Sequence, residues 1–156
     1  MIRALDDLLF DRVFQPAVDR VPGAHPVEAG RFFLVGAMGA AFWNIGANPA
    51  PGHAAMWLVA VAASSYLYFA SGRLGMRRGR NFMRVAPGCV PARVFFAGVV
   101  ACNAVGAAAG QAPGGAAAAF NALMLLALYL GACDAPPPRE RRGERRAWGG
   151  RMALQA

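Results

Sequence analysis

The sequence predicts an all-α integral membrane protein: four transmembrane helices arranged as two helical hairpins, preceded by a short amphipathic or interfacial helix. Three observations carry this expectation. Two long stretches, between Arg31 and Arg73 and from Val94 to Cys133, contain no Asp, Glu, Lys or Arg. Each is broken once by strong turn chemistry, at Asn48-Pro49-Ala50-Pro51-Gly52 and at Gln111-Ala112-Pro113-Gly114-Gly115. The arginines lie outside the two stretches, and neither hairpin tip carries one.

The composition agrees. Of 156 residues, 57% are hydrophobic and 15% charged, whereas an ordinary soluble domain has about 25% charged residues. An uncharged run this long would leave a soluble helix no polar face. The net charge of +8 raises the question of nucleic acid. In the basic tail Trp148 is the lone aromatic and no aromatic interleaving accompanies the charge, which makes nucleic-acid partners unlikely. Arginines gathered in cytoplasmic loops explain the charge instead.

Taken in order, residues 1–25 read as a cytoplasmic arm. The apolar cluster Leu8-Leu9-Phe10 is too short for the core of a signal peptide, and Asp6, Asp7 and Asp11 surround it. Leu5, Leu8, Leu9, Val13, Phe14 and Val18 alternate with charges, as in a helix lying on a membrane surface. A helix packed on the end of the bundle, or a partner-binding arm, fits equally well. Pro16 interrupts the pattern. Asp6-Asp7 reads as a solvated face.

Residues 26–133 form the expected transmembrane domain, with spans at about 26–47, 53–72, 91–110 and 115–133. Each is about long enough to cross ~30 Å of hydrocarbon at 1.5 Å per residue. Pro26 suits the first position of a helix, and Glu28 suits its first turn. The third span is the weakest, because its Ala and Gly content offers little apolar area. Residues 134–156, after Asp134-Ala135-Pro136-Pro137-Pro138, read as a disordered, arginine-rich cytoplasmic tail.

Orientation follows from charge. Four arginines precede or enter the first span, six lie between the hairpins and six lie in the tail. Both termini and the central loop are therefore expected in the cytoplasm, and a bacterial inner (plasma) membrane is the expected location. Phe32, Phe33, Tyr66, Tyr68, Phe95, Phe96 and Tyr129 fall near the inner interface, and Trp43 and Trp57 toward the outer one. The two hairpins also match weakly at an offset of 62 residues: Arg31 with Arg93, Phe33 with Phe95, Gly36 with Gly98, Pro51-Gly52 with Pro113-Gly114.

Small residues mark the expected packing faces. Gly98, Cys102, Gly106 and Gly110 recur every fourth position of the third span, and Gly36 and Ala40 do the same in the first. Such stripes let helices approach closely. The third span is expected at the centre of the bundle or of a dimer, with the fourth span as its neighbour. Asn44, Asn103 and Asn121 lie within spans and are expected to hydrogen-bond across helices, at about 0.6 kcal/mol each. A neutral polar ligand site is the other reading of the three.

The candidate chemistry is sparse. No ionisable residue is placed deep within a span, which argues against proton relays, ion-coupled transport and voltage sensing. His25 and His53 fall at opposite membrane faces and cannot share one haem. Cys89, Cys102 and Cys133 have no metal-site or disulfide spacing. No catalytic constellation, metal or cofactor is expected. Arg73, Arg77, Arg78, Arg80, Arg84, Arg141, Arg142, Arg145 and Arg146 are candidate contacts for anionic lipid. The expected function is that of a non-enzymatic accessory or scaffold subunit that binds a membrane protein or itself. The alternative is an oligomeric passive pore or carrier for small neutral solutes.

Overall fold

A computed structural model describes residues 2–21, 25–74, 82–86, 88–111 and 114–134. These are almost wholly helical, with no strand among the described residues. The elements are α1 (Ile2–Leu9), a π-helical turn (Phe10–Phe14), α2 (Gln15–Asp19), α3 (Pro26–Ala47), α4 (Pro51–Leu74), α5 (Phe82–Val85), α6 (Cys89–Ala108) and α7 (Gly115–Leu130). The four long helices start and stop within three residues of the bounds read from the sequence.

Local chemistry accounts for each boundary. Pro16 has no N–H to give residue 12, and its ring crowds that carbonyl. The arm widens into a π turn instead of breaking, with the Gln15 N–H reaching back to the Phe10 carbonyl. Pro26 opens α3 and Glu28 sits in its first turn. Asn48 leaves the helix with φ −144°. Its Oδ1 accepts from the Ala50 N–H at 3.3 Å, and Pro51 begins α4.

The end of α6 corrects one expectation. Gly110 lies beyond the helix with φ +76°. The Gln111 N–H bonds the Gly106 carbonyl at 2.7 Å, and the Gly110 N–H bonds the Ala107 carbonyl at 3.1 Å. This is a Schellman ending, which calls for a residue without a Cβ. A Cβ on Gly106 would meet only the Gln111 carbonyl, at 3.0 Å. Within the chain Gly110 therefore serves helix termination, and Gly106 meets no neighbouring helix among the described residues. Gly110→Ala is expected to lower stability by about 1–2 kcal/mol, read from thermal unfolding in detergent.

Within one chain the third span is not central. Helices α3 and α7 form the middle of the molecule, α4 packs on α3, and α6 packs on α7. Leu34, Ala37 and Ala41 of α3 are fully buried, as are Ala127, Leu128 and Tyr129 of α7. Trp57 of α4 reaches across to Phe120 of α7, edge to face at 5.1 Å. Trp57 is thus a core residue, not a member of an outer aromatic belt. Its Nε1–H donates to His53 Nε2 at 3.1 Å.

Two helices, over Pro51–Gly72 and Cys89–Ala108, are long and apolar enough to cross a membrane. The other two fall short for different reasons. Helix α3 has 22 residues but includes Glu28, Arg31 and Asn44. Helix α7 has 16 residues, or about 24 Å at 1.5 Å per residue.

Candidate functional site

Chain direction brings the start of α3, the end of α4, the start of α6 and the end of α7 to one end of the bundle. The N-terminal arm docks there, against α6 and α7. Phe10 and Val18 are buried, and Phe14 stacks on Tyr129 with ring centroids 4.4 Å apart. Leu5, Leu8 and Val13 remain exposed on the arm's other side. The arm thus packs on the end of the bundle while keeping an apolar side exposed.

The docking centres on a buried ion pair. Arg93 is 2% exposed and Asp6 4%. Arg93 Nε donates to Asp6 Oδ1 at 2.8 Å, and Nη2 donates to Oδ2 at 2.5 Å. Its Nη1 donates to the Met83 carbonyl at 2.6 Å. The planar fork of the guanidinium matches the carboxylate. The Tyr129 ring lies 5.7 Å from the Arg93 Cζ, and Tyr129 is fully buried, not interfacial. Asp6 is therefore not part of a solvated face; Asp7, next to it, is exposed. Sequence reading missed this pair because its members are 87 residues apart. The available signal was Arg93 itself, charged and just inside an otherwise uncharged span.

Further clamps hold the arm. Arg84 pairs with Asp134 at 2.5 Å, and its guanidinium lies 4.5 Å from the Phe10 ring centroid. Both side chains of the Arg84–Asp134 pair are exposed, so the pair contributes about 0–1 kcal/mol. Gln15 bonds the Asp134 backbone twice, donating to the carbonyl at 3.3 Å and accepting from the N–H at 3.1 Å. Arg84 is thus engaged within the chain. Of the other candidate lipid contacts, the Arg73 side chain and Arg77, Arg78, Arg80, Arg141, Arg142, Arg145 and Arg146 lie outside the described residues.

The first hairpin has its own arginine at this end. The Arg31 Cζ lies 4.2 Å from the centroid of Tyr68. Gly72, one turn along α4, leaves the guanidinium room: a Cβ there would stand 3.4 Å from the Cζ. The Nε of Arg31 is buried without a hydrogen-bond partner.

The expected packing residues divide. A Cβ on Gly36 would stand 3.4 Å from Leu123 of α7, and Ala40 packs against the core. Gly98 has open space around it and Cys102 is exposed, so among the described residues this face of α6 meets no helix. The tightest approach lies elsewhere. A Cβ on Gly30 would stand 2.7 Å from the Gly131 Cα and 2.9 Å from the Ala127 carbonyl oxygen.

The asparagines also differ from expectation. Asn44 donates to the Ala40 carbonyl of its own helix at 2.8 Å, not to a neighbour. Asn103 Nδ2 is buried without a partner. Asn121 is half-buried on α7. A shallow groove lined by Gly39, Phe42, Trp43, Gly46 and Ala47 runs along the C-terminal half of α3. Cys89 and Cys133 are buried, and the Cys133 Sγ donates to the Tyr129 carbonyl at 3.3 Å. Among the described residues, no cluster of His, Cys, Asp or Glu could hold a metal ion. No protein family, curated protein or solved structure matches the chain.

Proposed function

We propose that this chain is a four-helix integral membrane protein that works as an accessory or scaffold subunit, by association of its helices with other membrane helices. The observation that carries the reading is the chemistry of the outward faces. Phe32, Val35, Phe42 and Trp43 on α3, Met56, Leu58 and Val59 on α4, and Phe95 and Val105 on α6 are all exposed. Phe32 is 75% exposed and Trp43 72%. Apolar surface on this scale suits hydrocarbon or another protein, not water. The charged groups described gather at one end, which suits a headgroup region. The positive-inside rule places that end, both termini and the tail in the cytoplasm, as in a bacterial inner membrane. The exposed Leu5, Leu8 and Val13 of the arm fit the interface.

Helix α7, although short, is the most hydrophobic of the four, and a locally thinned bilayer accommodates its length. Helix α3 carries Arg31 near one end, where a long side chain reaches the headgroups.

Association follows from what the bundle leaves uncovered. Helix α6 is packed on α7 alone among the long helices, and its face at Gly98 and Cys102 is open. Close approach of a second membrane helix there needs no rearrangement.

Two measurements test the reading. Reporter fusions at Ala50 and Gln111 are expected to behave as exported, and a C-terminal fusion as cytoplasmic. An exported C-terminal reporter overturns the topology. Oxidative crosslinking through Cys102 in membranes is expected to trap a dimer or a partner adduct that Cys102→Ser abolishes. Solute flux through liposomes holding the pure protein overturns the scaffold reading in favour of the oligomeric passive pore or carrier.

A further inference from the structure

We propose that Arg31 binds the phosphate of an anionic lipid headgroup, in the place that Asp6 fills at Arg93; this rests on the membrane reading above. The two hairpins build the same device at the same end. Arg31 and Arg93 are 62 residues apart, and each guanidinium lies by a tyrosine on the returning helix of its own hairpin, Tyr68 or Tyr129. In the second hairpin the device is complete, because Asp6 takes the fork of Arg93 bidentately. In the first it lacks its acid. No carboxylate among the described residues pairs with Arg31, Glu28 of the preceding turn included.

The Arg31 site is also shaped. Tyr68 holds one face of the guanidinium, Gly72 leaves space beside it, and the Nε is out of water without a partner. A half-buried cation with an unspent donor calls for an anion that accepts at two points, which phosphate oxygens do. The surroundings favour a lipid over a free ion. Phe32 and Phe69, next in sequence to Arg31 and Tyr68, are both exposed and would lie along the acyl chains beneath the headgroup.

The test uses the full chain in an uncharged detergent. Phosphatidylglycerol or phosphatidylcholine is titrated in while native mass spectrometry counts retained lipid and thermal unfolding is followed. The parent is expected to retain phosphatidylglycerol in preference to phosphatidylcholine and to gain thermal stability from it. Arg31→Gln is expected to lose about tenfold in that affinity, the effect of one charge-assisted contact. An Arg12→Gln/Arg20→Gln control, at two exposed arginines of the arm, is expected to keep the tightly held lipid. Arg31→Lys keeps the charge without the fork, serves if Arg31→Gln does not fold, and is expected to weaken retention too. Equal retention by the parent and both Arg31 variants overturns the proposal. Inorganic phosphate reproducing the Arg31-dependent stabilisation supports the anion chemistry but overturns the lipid as its source. Recovery of the chain in the aqueous phase without detergent would instead remove the membrane reading beneath it.

Discussion

Asp6→Ala is expected to destabilise docking of the arm by about 3 kcal/mol, the low end of the range for breaking a buried ion pair. The loss is that large because the substitution leaves Arg93 behind. Its guanidinium would keep only the Met83 carbonyl and the distant Tyr129 ring. The low end applies because Arg93 lies in the second turn of α6, where a long side chain can turn toward the end of the bundle. Asp6→Asn keeps the shape and one acceptor and should fall between the two.

The readout can be local. Cys89 is buried one turn before Arg93, on the same face of α6, against which α1 packs. In a Cys102→Ser background, maleimide should label Cys89 slowly in the parent and rapidly in Asp6→Ala. Replacing both partners with apolar residues, Asp6→Leu with Arg93→Met, should restore most of the protection, since no charge is then stranded. Labelling of Asp6→Ala at the parent rate would show that the pair does not hold the arm.

The helices were legible in the sequence because uncharged runs, prolines and glycines act locally. Pro26, Asn48-Pro49-Ala50-Pro51 and Gly115 set helix ends by their own backbone chemistry. The arrangement of those helices was not legible. A soluble bundle shows which face is buried through its polar and apolar stripes. Helices α3, α4 and α6 are apolar on every side, so no stripe says that α3 meets α7 and that α6 lies outside. Glycine spacing did not substitute for it. Gly98 and Gly30 look alike as sequence, yet one faces open space and the other a backbone. Asp6 was hidden differently. The arm has charges on several sides, and only the location of Arg93 decides which is buried.

Gly30 shows what that arrangement demands. On α3 the residues Gly30, Leu34, Ala37 and Ala41 share one face, and all are buried. Their counterparts on and just after α7 are Met124, Ala127, Leu128 and Gly131, also buried. At Gly30 the two chains meet backbone to backbone: a Cβ would stand 2.7 Å from the Gly131 Cα, 2.8 Å from its nitrogen and 2.9 Å from the Ala127 carbonyl oxygen. None of these atoms belongs to a flexible side chain that could swing aside. Even Gly30→Ala must part α3 from α7, and that separation loosens contacts along the stripe. Overpacking of this kind costs about 1–3 kcal/mol, well above the 0.5–1 kcal/mol that alanine returns through helix propensity. Gly30→Leu should not yield a folded bundle. Gly98→Ala is the contrasting case: with nothing within 4 Å, it should stabilise the isolated chain in detergent by about 0.5–1 kcal/mol. Thermal unfolding of the two alanine variants decides the matter. A parent-like melting temperature for Gly30→Ala would mean that α3 and α7 do not cross at Gly30. A destabilised Gly98→Ala would mean that the open face of α6 is already covered, by another copy or by a partner.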